Sequence, residues 1–522
     1  MNWSHWCKYG GKLVFAASAL LITGSAHAAW REASTTHFVI YGEESESVLR
    51  KFAENLEKYH SALALATQQD VPDPSPSNRV TVYSVGSLDQ VRKLYGEKEA
   101  SRYLSGFYVP RAGHTFAIVP DIIGATVADW NDTLQVLLHE YAHHFVMSTS
   151  RFPLPRWANE GTAEFFASAA FKRDGSVSIG RPNPGRLLEN TYAVDVSLPE
   201  LMDPELYAAK RSKFYDSFYG RSWLLYHALV MSPKRQGQLA RYYNGLVSGQ
   251  SSLDAAKSAF GDLAAFDREL DGYSKRRGFM TYTIKAEALK VGPVAVRELR
   301  EGEAAIMTLR IRQNRGVDEA AAKTLLAAMR TFAQQYPKDP AVMAVLAEAE
   351  YDAGNHAEAI VAADAALALN PAQVQAHVQK GYALFAQAQK SGQAKDFRIA
   401  NNAFLRLNAV ENDHPIPLIY FHRSFTERGV KPPENAVQGL EKASELAPYD
   451  EGVHLSLATQ YIAEGKPDLA RLHLVPVAYD PHGGDLADTA RKMLDGLHSP
   501  AKPESPAAEA QKTVPSAATA QP

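Results

Sequence analysis

Residues 132–166 read DTLQVLLHEYAHHFVMSTSRFPLPRWANEGTAEFF, and this stretch decides both the fold and the chemistry. At its centre, His139-Glu140-Tyr141-Ala142-His143 is an HExxH motif. Leu134, Val136, Leu137, Leu138, Phe145 and Val146 surround it, which predicts a largely buried helix. The helix is expected to begin near Asp129 or Asn131, both good capping types, and to run to about Ser148. Positions four apart share one face of a helix, so both imidazoles can reach a single metal ion. Glu140 is turned to the edge of that face, where it can take a proton from an attacking water and later pass it to a leaving amine. Chance supplies about 0.035 such motifs in a chain of 522 residues with 17 His. Two histidines and a glutamate within an apolar helix need a partner to offset desolvation. One zinc ion is the economical partner, because it suits neutral imidazoles and brings the pKa of its water to about 7. A hydrogen-bonded pair of core histidines is the other reading of these residues.

A zinc site of this kind needs a third protein ligand and one position left open. The metzincin pattern, with glycine at position 146 and histidine at position 149, fails on Val146 and Thr149. A glutamate on a following helix is the other solution. Arg156 to Phe166, RWANEGTAEFF, supplies Glu160 and Glu164 on a helix predicted over Arg156–Ala170. Here the chain resembles the gluzincin metallopeptidases, the thermolysin-like and aminopeptidase-like group. Their third ligand is a glutamate in a segment like W-x-N-E-G-x-A-x-[YF], which corresponds to Glu160. The resemblance is specific over 134–170 and implies a zincin-type fold, zinc and hydrolysis of peptide bonds. Sixteen residues separate His143 from Glu160, fewer than is usual in that group, and a connection shortened around Phe152-Pro153-Leu154-Pro155 would accommodate this. Glu164, one turn later, can accept a hydrogen bond from a ligand histidine and fix its tautomer, or can simply face solvent.

Peptidases of this group also place a tyrosine or histidine at the tetrahedral oxyanion. Phe214–Leu229, FYDSFYGRSWLLYHAL, lies in a helix predicted over Tyr215–Met231 and ended by Pro233. Tyr219 resembles the oxyanion tyrosine of related families, with Tyr215 and His227 as rivals. The chain lacks the Gly-x-Met-Glu-Asn motif of the aminopeptidases, so their substrate preference does not transfer.

Working outward, the first 28 residues read as an export signal. Lys8 and Lys12 precede the apolar run Leu13–Ile22, and small residues lead to expected cleavage after Ala28. The run is too short to span a bilayer, and no later run is long enough. Cys7, the single cysteine, would leave with the signal, so the mature chain would have no thiol for disulfides, metal or catalysis. A periplasmic or secreted location follows. Formal net charge is −3, which disfavours nucleic acid as a partner.

His37–Tyr41, Arg79–Val85 and Thr115–Val119 are predicted strands, and Glu44–Thr67 has helical periodicity. The reading is an α+β zincin-like metallopeptidase domain over 29–285, a helical connector over 286–336, and an all-α repeat domain over 337–485. Pro337 and Pro371, like Pro448 and Pro481, stand a repeat apart, each after a helical stretch. Small and large residues from Ala347 to Leu367 interlock as in paired helices. This resembles the tetratricopeptide repeat (TPR) and predicts three to four repeats, with the polar AQKSGQAKDF (388–397) as an insertion. The resemblance implies a concave groove for a peptide substrate or a protein partner. Residues 486–522 form an Ala/Pro-rich tail, which from Ser499 onward is expected to be disordered.

Overall fold

The computed structural model describes residues 29–69, 72–95, 106–123, 132–150, 152, 154–210, 214–480 and 483–498. The segment expected to be an export signal, with Cys7, the expected capping positions Asp129 and Asn131, and the expected tail from Ser499 lie outside the described residues.

The strands are β1 (Arg31–Ser34), β2 (Phe38–Gly42), β3 (Val80–Ser84), β4 (Phe107–Val109), β5 (Phe116–Val119), β6 (Ala170–Phe171), β7 (Val177–Ile179), β8 (Tyr282–Ile284) and β9 (Ala295–Glu298). Six of them form a mixed sheet in the order β4-β5-β3-β2-β1-β9, and β6, β7 and β8 form a small antiparallel one. The three predicted strands are the parallel centre, β2, β3 and β5. Their side chains alternate between two cores, as the pleat requires. Phe38, Ile40, Val82, Ala117 and Val119 enter one core. Val39, Tyr41, Tyr83, Phe116 and Ile118 enter the other.

The crossover from β2 to β3 is α1 (Glu46–Thr67), which buries Leu49, Phe52, Leu56, Tyr59 and Leu63 in the first core. Ser45 caps it by accepting from the Val48 amide. On the opposite face lies α2 (Leu88–Tyr95), through Val91 and Leu94. The motif helix is α3 (Asp132–Thr149), followed by α4 (Arg156–Ala167). Two contacts seat α3 under the sheet: the Tyr59 hydroxyl donates to the Leu138 carbonyl at 2.9 Å, and the Tyr141 ring packs 4.7 Å from Phe38.

The domain continues through α5 (Pro184–Tyr192), α6 (Leu198–Met202), α7 (Pro204–Lys210), α8 (Phe218–Met231), α9 (Gln238–Val247), α10 (Ser252–Phe260) and α11 (Leu263–Ser274). α8 begins three residues later than Tyr215, the predicted start. Val194 holds that segment extended, donating to the Tyr215 carbonyl and accepting from the Ser217 amide.

The boundary at 285 needs correction. β9 pairs antiparallel with β1, ten residues beyond it, and closes the sheet edge. After α12 (Glu301–Ala305) comes α13 (Met307–Arg315), which adds Met307 and Ile311 to the second core. Residues 286–315 therefore belong to the α+β body rather than to a separate connector. The strand AVRE is short, charged and mostly exposed, so it carries no alternating apolar signal.

From α14 (Glu319–Gln335) to residue 498 the described residues form helices and short connections. Four hairpins follow: α15 (Pro340–Asp352) with α16 (His356–Leu369), α17 (Val374–Ser391) with α18 (Ala394–Val410), α19 (Pro415–Thr426) with α20 (Glu434–Leu446), and α21 (Glu451–Ala463) with α22 (Pro467–Ala478). Pro337, Pro371 and Pro448 each fall just past a helix end, as the repeat reading expects. Ala347, Ala359, Ala363 and Ala366 are fully buried between paired helices. Gly381 is required where α17 meets α18, because a Cβ there would lie 2.3 Å from the Phe404 ring. The insertion AQKSGQAKDF spans the end of α17, the two-residue link Gly392-Gln393 and the start of α18. It lengthens α17 and α18 to 18 and 17 residues, against 13 and 14 in the hairpin before. Residues assigned to the start of the tail instead form α23 (Asp485–His498), whose Ala487, Ala490 and Leu494 are buried.

The repeats dock on the α+β body. Ala112, in the β4–β5 turn, joins the repeat core, and its amide donates to Asp450 Oδ2 at 2.8 Å. Gly113 has φ of +72°, and a Cβ there would meet the His414 ring at 2.6 Å. The Glu411 carboxylate accepts from the Ser77 amide and hydroxyl at 2.8 and 2.7 Å. α3 itself is touched: the His144 ring lies 4.4 Å from that of Tyr449, and Met147 packs on the repeat core. Glu411→Ala would leave two donors at this junction without their acceptor. A loss of about 1–3 kcal/mol is expected, measured by denaturant unfolding. An unchanged midpoint would show that the junction contributes nothing.

Candidate metal centre

α3 presents His139 and His143 on one face, one turn apart, and α4 crosses against it. Residues 150–155 make the whole connection, which is the shortened link expected from the His143–Glu160 spacing. His139 Nε2 and His143 Nε2 are 3.0 Å apart. Glu160 Oε2 lies 3.4 Å from the first and 3.5 Å from the second. Three donors around a tetrahedral zinc, with bonds of about 2.0–2.2 Å, would stand about 3.3 Å from one another. The triangle has that size. Among the described residues, this is the one group of three His, Cys, Asp or Glu whose ligand atoms lie within 4.8 Å of one another.

The fit to a cation also rests on what Glu160 lacks. It is fully buried, and neither of its oxygens accepts a hydrogen bond. A buried carboxylate without donors is costly unless a positive charge stands beside it. Burial alone would raise the Glu160 pKa, but His139 and His143 outweigh it and hold the carboxyl below its usual range. Burial would likewise lower His139, yet Glu160 and Glu164 raise it well above the ordinary imidazole value. The pocket thus stabilises positive charge at the point where the three donors converge.

The outer nitrogens of both imidazoles are also held. His139 Nδ1 stands 3.3 Å from Glu164 Oε1, and His143 Nδ1 stands 3.0 Å from Asn159 Oδ1. A proton on each Nδ1 leaves each Nε2 lone pair aimed into the triangle. Glu164 is 3 % exposed, so its placement is that of a histidine partner and not of a solvent-facing residue. Burial pushes its carboxyl up, while His139 and then Arg186 bring it down to about 2. The role of Asn159 was not read from the sequence, where it served only as context for Glu160. Its position one residue before the glutamate, turned toward α3, is the signal that could have found it.

Glu140 is half-buried on α3, and its charge adds to the burial that raises the phenol of Tyr108 in β4. Tyr219 sits in the first turn of α8, with the guanidinium of Arg186 5.0 Å from its ring and that of Arg156 6.0 Å away. Burial, together with the Glu160 charge, pushes its phenol up to about 12. Tyr219 is therefore a neutral donor, and the charge of the Glu160 carboxylate reaches its phenol. Tyr215 is 64 % exposed and bonded to Glu189 and Arg186. His227 is fully buried, with Tyr273, Gly180 and Met280 as its partners. Neither rival is free to serve the triangle.

No family model and no curated protein matches the chain. Solved structures similar to parts of it include a thermophilic TPR protein of Thermus thermophilus, with a TM-score of 0.30 and 16% identity, covering 34% of this chain and 91% of that one. MamA of Desulfovibrio magneticus RS-1 gives 0.27 and 15%, over 38% and 99%. The APC/C assembly Cut9–Hcn1 gives 0.31 and 16%, over 53% and 49%. Likenesses this slight carry no argument about activity.

Gly161 explains why a glycine follows Glu160. α4 packs so closely on α8 that a Cβ there would lie 2.6 Å from the Ser222 carbonyl oxygen and 3.0 Å from Tyr226 Cβ. Gly161→Ala should separate the two helices and cost about 1–3 kcal/mol. Because Glu160 is its neighbour, metal affinity should fall with it. Thermal unfolding with and without zinc measures both, and an unperturbed variant would mean the helices have slack.

Proposed function

We propose that this chain is an exported zinc-dependent peptidase, with a zincin-like domain followed by TPR-like repeats. The observation that supports it most is the triangle of His139, His143 and Glu160, closed around an otherwise partnerless buried carboxylate. His139, His143 and Glu160 would hold the ion. When bound there, zinc polarises a carbonyl and makes water a nucleophile near neutral pH. Glu164 and Asn159 keep the two imidazoles in the tautomer that ligation needs. Glu140 accepts the proton of the attacking water at its carboxylate and returns it to the leaving amine. Tyr219, kept protonated, donates its hydroxyl to the developing oxyanion. The substrate is a peptide or protein segment, and the site would lie in the periplasm or outside the cell. Peptide hydrolysis should disappear with a chelator and return with zinc. Hydrolysis that persists in a metal-free protein would sink the reading.

A second reading is supported by the repeats: an interaction protein whose metal domain turns over slowly or not at all. Its basis is that the repeats dock directly on α3 and the β4–β5 turn, so a partner on the solenoid would meet the metal helix. No described helix is long and apolar enough to cross a membrane. Zinc binding without hydrolysis of any unfolded protein substrate would favour this second reading.

A further inference from the structure

The proposed centre has a feature that its ligands and their immediate partners do not account for. One guanidinium, that of Arg186 on α5, touches both halves of it. Arg186 Nη2 donates to Glu164 Oε1 at 2.5 Å, the same oxygen that faces His139 Nδ1. Arg186 Nη1 donates to Glu189 and, at 3.4 Å, to the Tyr215 hydroxyl. Glu189 Oε2 in turn accepts the Gly220 amide at 2.8 Å, at the start of α8 and one residue from Tyr219. The ring of Tyr219 lies under the same guanidinium.

We infer that Arg186 is a positioning residue that sets the metal ligand His139 and the oxyanion donor Tyr219 together; the inference rests on the zinc-peptidase reading above. Glu164 is almost wholly buried, and its remaining partner is the Asn183 amide, 3.4 Å from Oε2. With the guanidinium gone, a buried carboxylate would keep one imidazole and one long amide contact as partners. It would then no longer be fixed in place against His139 Nδ1, and the imidazole that faces the ion would lose the contact that sets its ring orientation. On the other side, Tyr219 would lose the cation over its ring, and Glu189 the charge that keeps it at Gly220. A lysine cannot replace this residue fully. Its single ammonium cannot bridge Glu164 and Glu189 as a planar fork does.

The test uses the full chain with Zn²⁺ and Co²⁺ as probes, in the native protein and in Arg186→Met, Arg186→Lys and Arg235→Met. Arg235 is a comparable partly buried arginine, paired with Glu269 and stacked on Phe266, with no contact to the centre. Chelator competition gives zinc affinity, and the visible spectrum of the cobalt form reports the ligand set. Arg186→Met should lose about 10–100-fold in zinc affinity and shift the cobalt bands. Arg186→Lys should restore much of the affinity and leave kcat on peptides depressed with KM little changed. Arg235→Met should match the native protein in all of these. Native affinity and native cobalt bands in Arg186→Met would overturn the inference. If Arg186→Met does not fold, Arg186→Lys decides it: native kcat together with native bands overturns it. A native chain that binds neither ion would overturn the zinc reading itself, a result distinct from either.

Discussion

Glu160→Ala is expected to abolish the zinc-dependent part of this protein's stability. The carboxylate is one of three donors, it is wholly buried, and among the described residues no fourth ligand atom joins the group to take its place. With free zinc about a thousandfold above its dissociation constant, binding stabilises the native fold by about 4 kcal/mol. For a domain of this size that is a rise in Tm of roughly 8–16 °C. The variant should show almost no rise on adding zinc and should hold less than one equivalent after dialysis. Without metal the comparison should narrow. The native chain then keeps an anionic carboxylate in an apolar setting, compensated only by His139 and His143. Glu164→Ala in parallel should weaken binding about 10–100-fold without eliminating it. If Glu160→Ala bound zinc as tightly as the native chain, the triangle would not be the site.

Glu140→Gln is expected to separate binding from chemistry. Glu140 is not part of the triangle, and helical spacing sets it at the edge of the face that His139 and His143 share. Glutamine keeps its shape and removes its basicity. Zinc affinity and Tm should stay at native values. Peptide hydrolysis should fall by about 10²–10⁴-fold, the usual worth of a general base. Equal turnover in the two proteins would remove Glu140 from the mechanism and favour the interaction-protein reading.

The centre of the fold was legible because its elements satisfy their own local rules. His37–Tyr41, Arg79–Val85 and Thr115–Val119 are apolar and β-branched, and they became the parallel core of the sheet. The motif helix showed in the same way, since burial on α3 follows its Leu, Val and Phe residues. β4 is three residues long and β9 is polar, and both exist because neighbouring strands offer free backbone groups. No single-segment pattern announces such a strand. The site divides along the same line. His139, His143, Glu160 and Glu164 lie within 26 residues on two helices, and helical spacing places them. Arg186 reaches the site from α5, in a stretch with no motif, and only the tertiary arrangement reveals it. The insertion at 388–397 takes the form of two longer helices, because its polar residues suit a helix extended into solvent.

The pairing of β1 with β9 has a consequence for how the chain comes into being. Arg31 bonds Glu298 across 267 residues of sequence. Until that distant strand has been made and delivered, the outer edge of β1 offers unpaired amides and carbonyls to any passing polypeptide. Loop closure over such a distance is slow. A product truncated before 295 would therefore carry His139, His143 and Glu160 and still be prone to aggregate, whereas one ending near 316 would have its edge sealed.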